Sequence, residues 1–276
     1  MDDSKVKKIV REGYADVAKQ NRSCCVPESS CCGPTNSAQT VAKKIGYSEE
    51  ELKAVPEGAN LGLGCGNPVA LATLKQGEIV LDLGSGGGFD CFLAATKVGS
   101  NGKVIGVDMT PEMIDKAREN AGNGGYENVE FRLGEIEHLP AADNSVDAII
   151  SNCVINLSPA KNKVFAEAYR ILKPGGRLMI SDVVLLKELP VEVRDSVEAY
   201  IGCLSGAVLK DEYIRIMKAA GFKDVKIVNE TTVPADVWFS DEVAKDIIEK
   251  IGSTLSPEKI KESADSVASV QVYAVK

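Results

Sequence analysis

The stretch Val80-Leu81-Asp82-Leu83-Gly84-Ser85-Gly86-Gly87-Gly88-Phe89-Asp90 constrains this chain more than any other. A short apolar run, the length of one buried strand, stops at Asp82 and gives way to a glycine-dense turn. Beyond the turn, Phe89, Phe92, Leu93 and Val98 recur at helical spacing. The unit is strand, tight loop, helix. Glycines let backbone approach a ligand closely, and a helix N-terminus presents unpaired N–H groups. About 20 residues further on, a second buried run, Val104-Ile105-Gly106-Val107, ends on Asp108, where a carboxylate can accept both hydroxyls of a ribose. Together these predict a nucleoside cofactor site.

The same alternation continues along the chain. Strands are expected at Ile79–Leu83, Val104–Val107, Val129–Leu133, Val146–Ser151 and Leu178–Leu185, with helices over Pro111–Ala121 and Asn162–Leu172 between them. Lys173-Pro174-Gly175-Gly176-Arg177 reads as the stop before the fifth strand. Further helices are expected at Val6–Ala18, Ser48–Val55, Glu192–Tyr200, Tyr213–Ala220 and Trp238–Ile251, and a further strand at Val225–Val228. The alternation Val270, Val272, Ala274 marks a last strand. The amphipathic helix at Val6–Ala18 either packs on the core or lids the site with Tyr14 facing the cofactor.

The glycine spacing, Gly84-x-Gly86-x-Gly88 after Asp82, differs from the Gly-x-Gly-x-x-Gly of dinucleotide folds and resembles motif I of the class I S-adenosylmethionine (SAM) methyltransferases. That resemblance implies an α/β fold: a Rossmann-like doubly wound sheet with an antiparallel last strand. An N-terminal helix and cysteine loop (1–75) would precede the SAM-binding core (76–186), and a C-terminal α+β extension (187–276) would complete the sheet and help to bind the acceptor. It also implies a cofactor set of Asp82, Gly84, Gly86, Asp108, Met109, Glu135, Ile136 and Asn152, with Glu135 and Ile136 beside the adenine.

With 276 residues, a formal charge of −8 and no run of the roughly 18 to 20 apolar residues that span a bilayer, the chain is expected to be a cytoplasmic protein with neither nucleic-acid nor membrane partners. Eight cysteines are then conspicuous, because clustered thiols in a reducing compartment are more often metal-binding, catalytic or redox-active than structural. Cys24, Cys25, Cys31 and Cys32 crowd a Ser-, Pro- and Gly-rich loop without zinc spacing. Cys65 stands between two glycines. Cys153 follows the fourth strand, near the switch in strand order where open α/β sheets bind ligands. Cys203 sits among small residues, and Cys91, one turn past the glycine loop, is expected to be buried.

Histidine is nearly absent. The single one, His138, has no partner pattern and is read as incidental, which disfavours acceptors that need a proton removed near neutral pH. Three thiolates converging at the cofactor edge select a soft centre. A trigonal As(III) bound to three sulfurs keeps a lone pair and needs no proton acceptor of its own.

Asn152-Cys153-Val154-Ile155-Asn156-Leu157, Gly64-Cys65-Gly66, the glycine loop through Cys91, and Gly202-Cys203-Leu204-Ser205-Gly206-Ala207 together resemble the arsenite methyltransferases. What this implies is stepwise methyl transfer from SAM to As(III), with Cys153 and Cys203 as core arsenic ligands and Cys65 as a further one. It also implies an N-terminal cysteine, assigned to Cys32, that pairs with Cys65 and takes part in catalysis. An external thiol reductant such as thioredoxin or glutathione would restore trivalent arsenic. Two alternatives stay open: a SAM methyltransferase for a small molecule such as a sterol or quinone, and a thiol protein that only sequesters arsenic.

Overall fold

The computed structural model describes residues 3–20, 37–68, 73–189, 206–232 and 265–276. The four cysteines between 24 and 32, Cys203, and the helices expected at 192–200 and 238–251 lie outside these residues.

Seven strands form one sheet: β1 (Ile79–Leu83), β2 (Lys103–Asp108), β3 (Val129–Leu133), β4 (Val146–Asn152), β5 (Leu172–Leu185), β6 (Lys223–Thr232) and β7 (Val267–Val275). Their order is β3-β2-β1-β4-β5-β7-β6. The β1, β2, β3, β4 and β5 pairings are all parallel, and β7 runs antiparallel to both β5 and β6. The chain therefore reverses its winding between β1 and β4, which opens a crevice at the carboxyl ends of those two strands.

Alternation along the strands feeds two cores. Leu81, Leu83 and Ile149 face one side of the sheet, packing with Val164 and Phe165 of α6 (Lys161–Ile171) and Tyr213 and Met217 of α7 (Lys210–Ala219). Val80, Ala148 and Ile150 face the other, packing with Phe92, Leu93 and Ala95 of α4 (Phe89–Val98) and Ile114 and Ala117 of α5 (Pro111–Gly124). Strands buried on both faces need apolar residues at every position, hence the continuous runs read from the sequence.

Most boundaries move by one to three residues. Two differences are larger. The expected stop at Lys173–Arg177 is instead the first part of a longer β5: Leu172 pairs with Val146, and the Gly175 and Gly176 backbone bonds with the chain's last residue, Lys276. Backbone pairing, invisible to composition, extends the strand. At the other edge β6 runs well past Val225–Val228 because β7 supplies a long antiparallel partner.

Before the sheet come α1 (Asp3–Gln20), α2 (Ser37–Lys44) and α3 (Glu49–Lys53). Ser48 caps α3 in a capping box with Glu51. No helix among the described residues is long and apolar enough to cross a membrane.

Candidate functional site

The crevice beyond β1 and β4 encloses a cavity of about 310 Å³. The glycine loop forms its floor. Gly84 (φ 68°) is fixed by packing as well as backbone, since a Cβ there would lie 2.3 Å from a Val154 methyl. Gly86 (φ 50°) has open space where its Cβ would be, so only a left-handed backbone and an unfilled cradle demand glycine there. Asp108 holds this loop from β2. Its carboxylate accepts the Gly86 N–H at 3.0 Å and the Thr110 N–H at 2.8 Å.

The wall is acidic. Asp82, Asp90, Asp108 and Glu137 all line the cavity. Burial pushes the Asp82 carboxyl well up, and the neighbouring Asp90 adds to this, while the Cys91 thiol donates to it at 3.2 Å. Burial also raises Asp108, and lifts Asp90 to about 6 against the hydrogen bonds from Tyr47 and Asn152. Cys91 is fully buried, as expected, and burial raises its own thiol well above the ordinary range.

Of the anticipated cofactor set, Asp82, Gly84, Gly86, Asp108, Met109, Ile136 and Asn152 line the cavity. Glu135 does not. Its carboxylate pairs with Lys7 of α1 at 2.7 Å, and the neighbour Glu137 turns inward, bonded by the Ser158 hydroxyl and 3.2 Å from the same lysine. His138 is exposed, in keeping with an incidental role.

The helix α1 packs on the core and also borders the cavity. Val10 is buried against Leu157, with Tyr14, Met109, Cys153 and Val154 around them. Lys7, Val10, Tyr14 and Val17 also roof the cavity.

At the far end two cysteines meet. Cys65 and Cys153, 88 residues apart in sequence, form a disulfide with Cα atoms 5.9 Å apart. Pairing of Cys65 with an N-terminal cysteine was expected; in this structure its partner is Cys153. The reason is positional. Gly64-Cys65-Gly66 lies across the end of β4, where the Asn152 side chain accepts the Cys65 N–H at 3.0 Å and donates to the Gly66 carbonyl at 2.8 Å. Ser269 of β7 donates to the Cys65 carbonyl at 2.8 Å. Cys153 is turned toward that loop by a left-handed backbone (φ 54°), uncommon outside glycine, with its N–H held by the Ser181 carbonyl at 2.8 Å.

Asp182, which sequence reasoning missed, completes this end. One of its oxygens and the two sulfurs all lie within 4.8 Å of one another. Burial pushes its carboxyl up to about 6, against the Val183 N–H, the Tyr213 hydroxyl and the Lys161 charge. Asp90 and Tyr47 were also missed as site residues. Asp90 closes the quoted glycine motif, the one signal that could have found it.

These features fit SAM. The acidic wall suits a sulfonium cation, Gly86 leaves a cradle, and the buried Ser85 hydroxyl has no hydrogen-bond partner among the described residues.

Comparison with known proteins gives the class and then the family. Residues 74–221 match the family described as a methyltransferase domain; with the strand order and glycine loop, fold and cavity are those of a class I SAM-dependent methyltransferase. The arsenite methyltransferase of Halobacterium salinarum is 48% identical over 249 residues, 87% of this chain and 63% of that protein, and that of Homo sapiens is 35% identical over 241, or 84% and 62%. A crystal structure of CrArsM, an arsenic(III) S-adenosylmethionine methyltransferase from Chlamydomonas reinhardtii, superposes with a TM-score of 0.63 at 32% identity, covering 88% of this chain and 75% of that one. The chain belongs to the arsenite methyltransferase family. It spans about three-fifths of the length of the curated relatives it matches.

Proposed function

We propose that this protein transfers methyl groups from SAM to trivalent arsenic held on cysteine thiolates. The observation that carries the reading is the meeting of Cys65 and Cys153 in the lining of the same cavity as the glycine loop and Asp108. Bound SAM supplies an electrophilic methyl group on a positively charged sulfur. Asp108 suits the ribose hydroxyls, Ile136 and Met109 the adenine, and Asp82 and Asp90 the cationic end. Opening the disulfide gives two thiols, and Cys203 is the third arsenic ligand in this reading. Soft sulfur is the ligand chemistry that selects arsenic over hard cations. Holding the acceptor in line is worth on the order of 7 to 11 kcal/mol of barrier, so positioning is the protein's main contribution.

Each methyl addition formally oxidises arsenic, so a thiol system such as thioredoxin or glutathione, with Cys32 as the internal thiol, returns both arsenic and the cysteines to the reduced state. This places the reaction in the cytoplasm, as an arsenic detoxification step. The experiment is incubation of the reduced protein with arsenite, SAM and a dithiol, followed by arsenic speciation. Methylated arsenicals are expected from the wild type and absent from Cys153→Ser and Cys203→Ser. Full turnover by both variants would reject the ligand assignment, whereas no methylated arsenic from the wild type would favour a sterol- or quinone-type acceptor.

A further inference from the structure

We propose that the Asp182 carboxylate offsets the positive charge that arsenic acquires during methyl transfer. The inference rests on the arsenic-methylating reading above. In that step the arsenic lone pair forms the As–C bond, the C–S bond of the sulfonium breaks, and its electron pair neutralises the donor sulfur. No proton moves. One unit of positive charge therefore passes from sulfur to an arsenic that was neutral on three thiolates.

A fixed negative group beside the cysteine sulfurs is the element such a step needs. Asp182 is wholly buried, and its oxygen lies within 4.8 Å of both Cys65 Sγ and Cys153 Sγ. It is also held rigidly. The Tyr213 hydroxyl donates to Oδ2 at 2.9 Å, and the Asn156 amide and the Val183 N–H donate to Oδ1, each at 2.9 Å. Three donors on four acceptor sites orient the group, with the Lys161 charge also acting on it. Burying a carboxylate is costly, and a nonpolar side chain at this position of β5 would pack without that penalty. A further arsenic ligand is the weaker alternative, because a hard oxygen competes poorly with thiolate for a soft centre. Charges arranged in advance where charge develops, inside a site that excludes water, act on the transition state more than on the bound ground state.

The test uses the full reduced chain with Asp182→Asn, which keeps size and removes charge, and Asp182→Glu, which keeps charge. Three quantities are compared with wild type: arsenite affinity by calorimetry without SAM, the single-turnover methylation rate, and the thermal midpoint. Asp182→Asn is expected to bind arsenite within about 3-fold of wild type yet transfer methyl about 100-fold more slowly, the scale of losing one preorganised electrostatic group. Asp182→Glu is expected to regain at least a tenth of the wild-type rate. A folded Asp182→Asn that transfers within about 3-fold of wild type overturns the proposal. So does a loss of arsenite affinity that matches the loss of rate, since that makes Asp182 a ligand or a scaffold. Should Asp182→Asn not fold, Asp182→Glu decides alone, with a rate below a hundredth of wild type at intact arsenite affinity as the overturning result. If the wild type forms no methylated arsenic, the functional reading itself falls, a distinct outcome visible before any variant is made.

Discussion

Asn152 spends one side chain on both halves of the site. Its amide N–H groups reach the Tyr47 hydroxyl at 3.0 Å and Asp90 at 3.2 Å on the cofactor side, while its two bonds to the Cys65 loop serve the sulfur side. Gly64 must be glycine for this, because a Cβ there would stand 2.7 Å from the Asn152 amide. At the same scale, Gly84 and Gly86 should respond differently to the same change. Gly84→Ala drives a methyl into Val154 and strains a left-handed backbone, so a loss of about 2 to 3 kcal/mol is expected by denaturant unfolding. Gly86→Ala meets nothing within 4 Å and carries backbone strain of only about 1 to 2 kcal/mol. Its methyl enters the cradle instead, so SAM affinity by calorimetry should fall more than stability does.

Among the elements, α1 meets the site through one charged side chain, Lys7, and the apolar Val10, Tyr14 and Val17. Lys7 bridges Glu135 and the buried Glu137 from above the cavity, and Val10 anchors the helix on Leu157. The half-exposed Lys7–Glu135 pair contributes about 0 to 1 kcal/mol, but Lys7→Met also leaves the buried Glu137 carboxylate without its cation, so a lowered unfolding midpoint is expected. The same change releases Glu137 from its cation at the cavity wall, and KM for SAM is expected to rise several-fold while kcat at saturation stays near wild type. An equal fall in kcat would show that the roof acts on the chemical step. The glycine loop and β5 have the opposite character. They are set by backbone, with Gly84 and Ser85 N–H groups both on the Val107 carbonyl and β5 bonded along nearly its whole length to β4 and β7.

For the whole molecule, the acidic crevice implies a pH dependence of stability. Burial lifts Asp90 to about 6, above the roughly 3.9 of an unfolded aspartate. The native state therefore holds this proton more tightly than the unfolded chain. The destabilisation from charging Asp90 is full above pH 6, shrinks as pH falls toward 4, and vanishes below that. Asp90→Asn should be more stable than wild type at pH 7, with the difference disappearing near pH 3.5 in matched unfolding curves. A difference that grew on acidification would reverse the assigned sign. Much of this molecule was legible in one dimension. The strand, glycine turn and helix, the placement of Asp108 at the end of β2, the doubly wound alternation and the buried Cys91 follow from local periodicity and turn chemistry, which neighbouring residues set among themselves. Only the tertiary structure decided that Cys65 meets Cys153, that Glu137 rather than Glu135 faces the cavity, that Asn152 ties the two halves together, and that Asp182 stands beside the sulfurs. Those juxtapositions depend on strand order and register across a seven-stranded sheet, and they arise from the packing of segments up to about 200 residues apart, to which no local pattern responds.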